Sequence, residues 1–335
     1  MRIFSVLIIS VFLSASPDKE WKKIHITGFA QGTTYSVIYY AKDSFVTKSQ
    51  IEGLLTRINQ SLSLYDQQSL INAFNRSDRG IEMDKYFKTV FRKSIEVNKE
   101  TSGLFDITVL PLVEAWGFGI AKPRSMPNDT VLMELKKCVG SDLLKEVNNF
   151  LYKQKPCVRI DMNGIAQGYT VDLVAELLEK NKIKNYLVEL GGEIRVKGSK
   201  KPSEERFTVG IESPQEDEFL ISGLQKVLYA STGAITTSGS YRKFREANGK
   251  KMTHLINPIS GKPMESELIS VTVFAKDAIT ADAYDNAIML MGLQKGLEFV
   301  EERKELSAYF IYKKQNGVIA DTTSSDFYKF MIIKE

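Results

Sequence analysis

The chain predicts an α+β fold, and two observations carry that expectation. Strand-like segments arrive in runs with helices between them, not in the strict strand–helix alternation of a doubly wound sheet. The composition is that of an ordinary globular protein, with 335 residues, 43% hydrophobic and 26% charged. That length suits one large domain or two smaller ones, and no repeat, low-complexity tract or Pro/Gly-rich linker divides it.

The elements follow in order. Lys22–Phe29 reads as a strand, and Gln31–Tyr40 as the start of a hairpin with Gly32 in the turn. Lys48–Leu62 alternates at helical period, and Asp84–Thr101 is a second helix stopped by Ser102-Gly103. Met126–Gly140 is mixed, polar and peripheral in character. Cys157–Asp161 reads as a strand, Asn163–Gly168 as a loop and Tyr169–Lys180 as a helix. Tyr186–Glu189 and Glu193–Lys197 are strands about a Gly191-Gly192 turn. Phe207–Glu212, Gly223–Ser231, Ser270–Ala275 and Ser307–Lys313 read as further strands. Asp282–Met291 and Leu293–Lys304 are helices separated by Gly292.

The helix at 280–292 is the most informative of these. Ala281, Tyr284, Ile288 and Met291 form one apolar stripe, and Ala283, Ala287 and Leu290 cover much of the rest. Asp282, Asp285 and Asn286 interrupt it at i, i+3, i+4 spacing, on one face within one turn. Buried carboxylates must be paired or hold a metal, and an all-oxygen set suits a hard cation, Mg²⁺ before Zn²⁺. The alternative is an acidic first turn favoured by the helix dipole, with Asn286 in solvent.

Three other segments carry candidate chemistry. Asp161-Met-Asn-Gly-Ile-Ala-Gln-Gly168 joins a strand to a helix, where free N–H groups and the dipole suit a diphosphate; a plain glycine-bearing turn is the competing reading. Thr232–Arg242 is rich in hydroxyls and glycines, either a surface loop or a wrap for a polar ligand, with Arg242 facing a phosphate. His254 stands among the turn signals of His254-Leu-Ile-Asn-Pro-Ile-Ser-Gly-Lys-Pro263, where a structural role competes with proton transfer. Ser102–Gly119, with its aromatics, glycines and Asp106, reads either as core or as the wall that receives a flat ring.

The net charge of +4 is mild and its basic residues are scattered, which argues against nucleic acid as a partner. With histidines only at 25 and 254, zinc is not expected. Residues 1–16 have the parts of a secretory signal: Arg2, an apolar run from Ile3 to Leu13, and Ser14-Ala15-Ser16. An uncleaved N-terminal anchor is the alternative. No cysteine follows the run directly, so the protein is not expected to be a lipoprotein. Cys138 and Cys157 either pair, as an exported protein permits, or remain free thiols.

Taken in order, these segments resemble the ApbE family, the FAD:protein FMN transferases. The resemblance rests on Ser63-Leu-Tyr-Asp…Ser69-Leu-Ile-Asn-Ala-Phe-Asn75, Gly103-Leu-Phe-Asp-Ile-Thr-Val…Trp116-Gly-Phe-Gly119 and Asp161…Asp172. It continues through Leu190-Gly-Gly-Glu193, Thr237-Ser-Gly-Ser-Tyr-Arg242, His254…Pro263 and Ala281-Asp-Ala-Tyr-Asp-Asn286. It implies one T-fold-related domain over 17–335, with mixed or antiparallel sheets and a central flavin cleft. It implies Mg²⁺-dependent transfer of the FMN half of FAD to a Ser or Thr hydroxyl of another protein, releasing AMP. The implied acceptors are exported or membrane-bound electron-transport flavoproteins, and the implied location is the periplasm, free or tethered to the inner membrane. The implied metal ligands are Asp282, Asp285, Asn286 and the Gly164 carbonyl. The implied flavin contacts are Gln31, Tyr65, Leu104, Phe105, Asp106, Asp161, Gln167 and Ile256, with His254 and Asp161 as catalytic groups. Gln31, Gln167 and Asn286 depart from the residues common at those places. An FAD pyrophosphatase and a non-catalytic exported flavin-binding protein are the alternatives.

Overall fold

The structure is a computed structural model and describes residues 20–120, 125–212, 224–240, 244–247 and 250–330. Strands β1 (Lys22–Ala30) and β2 (Thr33–Ala41) form a hairpin whose two-residue turn, Gln31-Gly32, has φ of 51° and 78°. Positive φ at both turn positions matches the twist of the flanking strands, and Gly32 meets it without strain. Helix α1 (Lys48–Leu62) starts at a reciprocal cap between Thr47 and Gln50 and buries Ile51, Leu54, Leu55, Ile58 and Leu62. Then come α2 (Leu70–Arg76), β3 (Gly80–Glu82) and α3 (Lys85–Glu100), the last capped by Asp84. A peripheral layer holds α4 (Leu110–Ala115), α5 (Asp129–Lys136), β4 (Leu144–Val147) and β5 (Phe150–Lys153).

The second half begins with α6 (Asn163–Lys180), β6 (Asn185–Leu190), β7 (Glu193–Lys197), β8 (Phe207–Glu212) and β9 (Leu224–Ala230). It continues with β10 (Thr232–Gly239), β11 (Phe244–Ala247), β12 (Lys250–Thr253) and β13 (Leu268–Ala275). It closes with α7 (Ala278–Met291), α8 (Leu293–Glu301), β14 (Ser307–Lys313) and β15 (Ile319–Thr323).

Eight strands form the central sheet in the order β1-β2-β6-β7-β10-β13-β14-β15, with antiparallel pairing throughout. Its alternating side chains feed two cores. On one face they pack with α1, α3, α6 and α7, as Val37, Val188, Val271 and Val273 do. On the other, Val196, Ile235 and Tyr309 meet Phe207 and Leu228 of the β8–β9 hairpin and Phe327. Among the described residues no helix is long and apolar enough to cross a membrane. The proposed signal at 1–16 and Arg242 lie outside the described residues.

The α+β expectation with antiparallel sheets holds, but three local readings need correction. Residues 157–161 join no sheet; the Asn75 side chain supplies the missing partner, accepting from Ile160 N (2.8 Å) and donating to Ile160 O (3.0 Å). The expected loop at 163–168 is the first turn of α6, kinked at Gly164. Residues 232–239 are not a loop but β10, inside the central sheet between β7 and β13. Residues 126–140 are peripheral as expected and contain α5, whose Leu132 packs with Leu112 and Ile256 in a small satellite core. Cys138 and Cys157 are joined in a disulfide that ties the end of that segment to the approach of α6.

Candidate active site

The site is built where α6 and α7 pack together. A Cβ on Gly168 would lie 2.3 Å from Ala278 O and 2.7 Å from Asp282 Cβ, so only glycine permits this approach. The sequence left the segment 161–168 open between a diphosphate site and a plain glycine-bearing turn; the structure gives its Gly168 to helix packing. Two carboxylates hold the start of α7. Asp277 accepts from Thr280 N (3.1 Å), while Asp172 accepts from Ala278 N (2.9 Å) and Ile279 N (2.8 Å). Asp172 is therefore a positioning residue that sequence reasoning did not single out. Burial pushes its carboxyl up to about 6, against those two backbone bonds and Arg195 at 3.6 Å.

The kink at Gly164 turns backbone groups of α6 toward α7. The Gly168 N–H donates to Asp282 Oδ2 at 2.8 Å. The Gly164 carbonyl, its partner in a regular helix, accepts from Asn286 Nδ2 at 3.3 Å. The same amide nitrogen donates to Asp285 Oδ1 at 2.9 Å, and Asn286 Oδ1 accepts from Ser238 Oγ at 3.3 Å. Asp282 and Asp285 are only 4% and 1% exposed. Burial pushes Asp282 up to about 7, with the Gly168 bond opposing and the Asp172 charge adding. Asp285 is raised well above the usual carboxylate range, by burial first and by the Asp282 charge next. The acidic first turn in solvent is thus excluded for this pair: both side chains are inside.

These groups lie at one end of a cleft of about 480 Å³, within the range of small-molecule sites. The proposed metal ligands, flavin contacts and catalytic groups all line it, so segments from six parts of the chain converge. Gln31 sits in the β1–β2 turn and donates to Thr170 Oγ1 of α6 at 2.8 Å. Leu104 and Phe105 supply an apolar wall, the Phe105 ring lying against Gly164. Tyr65 is 73% exposed at the rim. His254 is half-buried and Ile256 buried on a segment that Trp116 holds by donating to Gly261 O at 2.8 Å. Gln167 faces the cleft near Gly191. Asp161 Oδ1 accepts from Asn163 N at the start of α6 (2.8 Å). The Asp106 carboxylate accepts from Thr108 N, Thr108 Oγ1, Ser141 N and Asn98 Nδ2, which spends it on loop structure. Glu193 and Ser238 also line the cleft; Glu193 lay within a quoted motif, and Ser238 within the misread strand β10.

The donor set fits Mg²⁺. Among the described residues no group of three or more His, Cys, Asp or Glu is gathered for a metal. Mg²⁺ does not need one, since it is commonly held by one or two carboxylates, with water and substrate phosphate completing the shell. The Asn286 NH₂ group lies between Gly164 O and Asp285 Oδ1, two oxygens a cation would bridge. A half-turn of the amide presents Oδ1 there, and the Ser238 hydroxyl can then accept from Nδ2.

The model of the ApbE family matches residues 31–310. A "FAD:protein FMN transferase" of Vibrio cholerae is 34% identical over 338 residues, covering 99% of both chains. A protein of the same description from Haemophilus influenzae is 35% identical, covering 96% of both. Among solved structures, the flavin transferase ApbE from Vibrio cholerae superposes with a TM-score of 0.83 at 32% identity, over 93% of this chain and all of that one.

Proposed function

The chain belongs to the ApbE family, and we propose that it transfers the FMN half of FAD to a Ser or Thr hydroxyl of a flavoprotein acceptor, with Mg²⁺ bound and AMP released. The observation that carries this reading is the pair Asp282 and Asp285, buried side by side beside the Gly164 carbonyl at the end of a flavin-sized cleft. No Lys or Arg stands among the described residues that line the cleft; Arg242, expected from the sequence to face a phosphate, lies outside them. Asp282, Asp285, Asn286 and the Gly164 carbonyl would hold Mg²⁺, which supplies charge neutralisation and polarises phosphate oxygens.

The chain's own groups do the rest. Tyr65, Leu104, Phe105 and Ile256 supply the apolar surface for the flavin half. Asn163 N is bound by Asp161, and Ile165 N and Ala166 N by Met162 O, so α6 offers the diphosphate chiefly the positive end of its dipole. The acceptor oxygen forms a bond to the FMN-side phosphorus as that phosphorus loses its oxygen bridge to AMP. His254 takes the acceptor proton, with Asp161 the nearby alternative base, and AMP leaves with the bond electrons. We read the location as the periplasm, free or tethered to the inner membrane by the first 16 residues. The Cys138–Cys157 disulfide supports an oxidising compartment.

Incubation with FAD, Mg²⁺ and exported flavoprotein subunits, followed by intact mass of each subunit, tests the reading. An added FMN mass with stoichiometric AMP is expected. Release of free FMN with no modified protein would make the enzyme an FAD pyrophosphatase instead.

A further inference from the structure

A second concavity adjoins the flavin cleft. It is a groove of about 180 Å³, and it meets the cleft at Tyr65, Phe118, Asp161 and Asn163. The junction falls one residue before Gly164, the carbonyl beside the buried aspartates. The groove walls are amphipathic. Leu64, Leu110 and Phe118 line it, and Tyr65 and Ile120 are 73% and 53% exposed.

Two guanidiniums face the groove, and they differ. Arg159 is paired with Glu114 at 2.6 Å. Arg76, the last residue of α2, donates to Gln67 O at 2.9 Å and makes no salt bridge among the described residues. A guanidinium carries five N–H donors in a fork suited to a carboxylate. The Arg76 fork is held at one corner and has donors to spare.

We propose that this groove seats an extended segment of the acceptor protein, with an acidic side chain on Arg76 and the acceptor hydroxyl at the junction with the cleft. The inference rests on the transferase reading, which requires a second, polypeptide substrate to reach the phosphate that the flavin cleft presents. Exposed apolar surface beside one unpaired cation suits a peptide that brings both side-chain types. The position suits it too, because the groove opens on Asn163, exposed at the entrance to α6.

The test uses nonapeptides with one central Thr and a single Asp, or a single Lys, walked through the other positions. Each is incubated with the full-length enzyme, FAD and Mg²⁺, and the added FMN mass is followed against time. At one or two neighbouring positions Asp should be favoured over Lys, and Arg76→Glu should reverse that preference, a swing of about tenfold expected from two exposed ion-pair terms of opposite sign. A gain with the Lys peptides cannot come from misfolding. The same preference in both enzymes, or none in either, would overturn the groove assignment and leave transfer intact. A fall in FAD affinity on Arg76→Glu would give the groove to the dinucleotide and overturn it as well. If no peptide is modified the assignment fails, and accumulation of free FMN would then condemn the transferase reading with it.

Discussion

Asp282→Asn should stabilise the cation-free protein at neutral pH, although it removes a candidate metal ligand. Asp282 titrates near 3.8 when unfolded and is pushed up to about 7 by burial in the fold. Three pK units correspond to about 4 kcal/mol, at 1.36 kcal/mol per unit. The sign follows from proton binding. The folded state holds this proton more tightly than the unfolded state, so folding is undisturbed below about pH 4, where both forms are protonated. Stability is lost as pH rises from about 4 to about 7, and above 7 the loss is complete. Asparagine carries no charge at any of these values, and its side-chain oxygen can still accept the Gly168 N–H that Asp282 now binds at 2.8 Å. Urea unfolding in chelator at intervals from pH 4 to pH 8 would measure this. The variant and the parent should agree at pH 4, and the variant should lead by up to about 4 kcal/mol at pH 8. Added Mg²⁺ should raise the parent at pH 8 and affect the variant far less. A gap between the two proteins that does not widen with pH would refute the reasoning, whatever happens to transfer activity.

Gly168→Ala should force α7 from α6 by about 1 Å, because the new methyl would stand 2.3 Å from Ala278 O and a relaxed C···O contact is about 3.3 Å. An overpacking cost of about 1–3 kcal/mol, partly offset by about 1 kcal/mol of helix propensity, should accompany a roughly hundredfold loss of transfer as Asp282 moves; unfolding and transfer rates measured together check this, and full activity would deny the contact a positioning role. Replacing both Cys138 and Cys157 by Ser should cost about 3 kcal/mol of unfolding free energy, the loop-closure value for a bridge across a sequence separation of 19. Urea titration with and without reductant checks it: the parent in reductant should fall to the level of the double variant, which reductant should leave unchanged.

The parts of the fold legible in the sequence are those whose pattern is local. Helix α1 and strands β7 and β14 match their expected bounds, because period and caps lie within each segment. The polar trio of α7 stood out in the sequence for the same reason, as three polar groups on an otherwise apolar helix, but only the burial of Asp282 and Asp285 decides against the acidic-turn alternative. The misreadings came from long-range partners. Val158 and Ile160 are buried as a strand's residues would be, but the group that satisfies Ile160 is a side chain 85 positions away. The hydroxyls of β10 suggested a loop, yet Thr237 is matched across the sheet to Thr272 at 2.9 Å and Ser238 donates to Asn286 of α7 at 3.3 Å. Gly164 and Gly168 looked alike in sequence and do different work, one kinking α6 and the other admitting α7. No count of glycines separates those roles, since each depends on what approaches from α7.

The charge inventory of the cleft carries the argument one step further. Asp106, Asp161, Glu193, Asp282 and Asp285 line it, and no Lys or Arg does so among the described residues. A diphosphate entering that site would bring negative charge to buried carboxylates, and in a low-dielectric setting such repulsion is severe. The dipole of α6 amounts to about half a charge at its N-terminus, too little to balance it. On the proposed reading, then, the carboxylates cannot favour the substrate directly. They favour a divalent cation, the cation favours the diphosphate, and each ligand should raise the affinity of the other. This accounts for the placement of the pair on one helix, α7, packed closely against α6, instead of on a loop. The like charges are held together by Gly168 and the Asp172 cap, and they remain protonated or repelled until the cation arrives. The Mg²⁺ arm of the Asp282→Asn experiment reads the cost of burying that charge, as the stability that the cation returns to the parent and not to the variant.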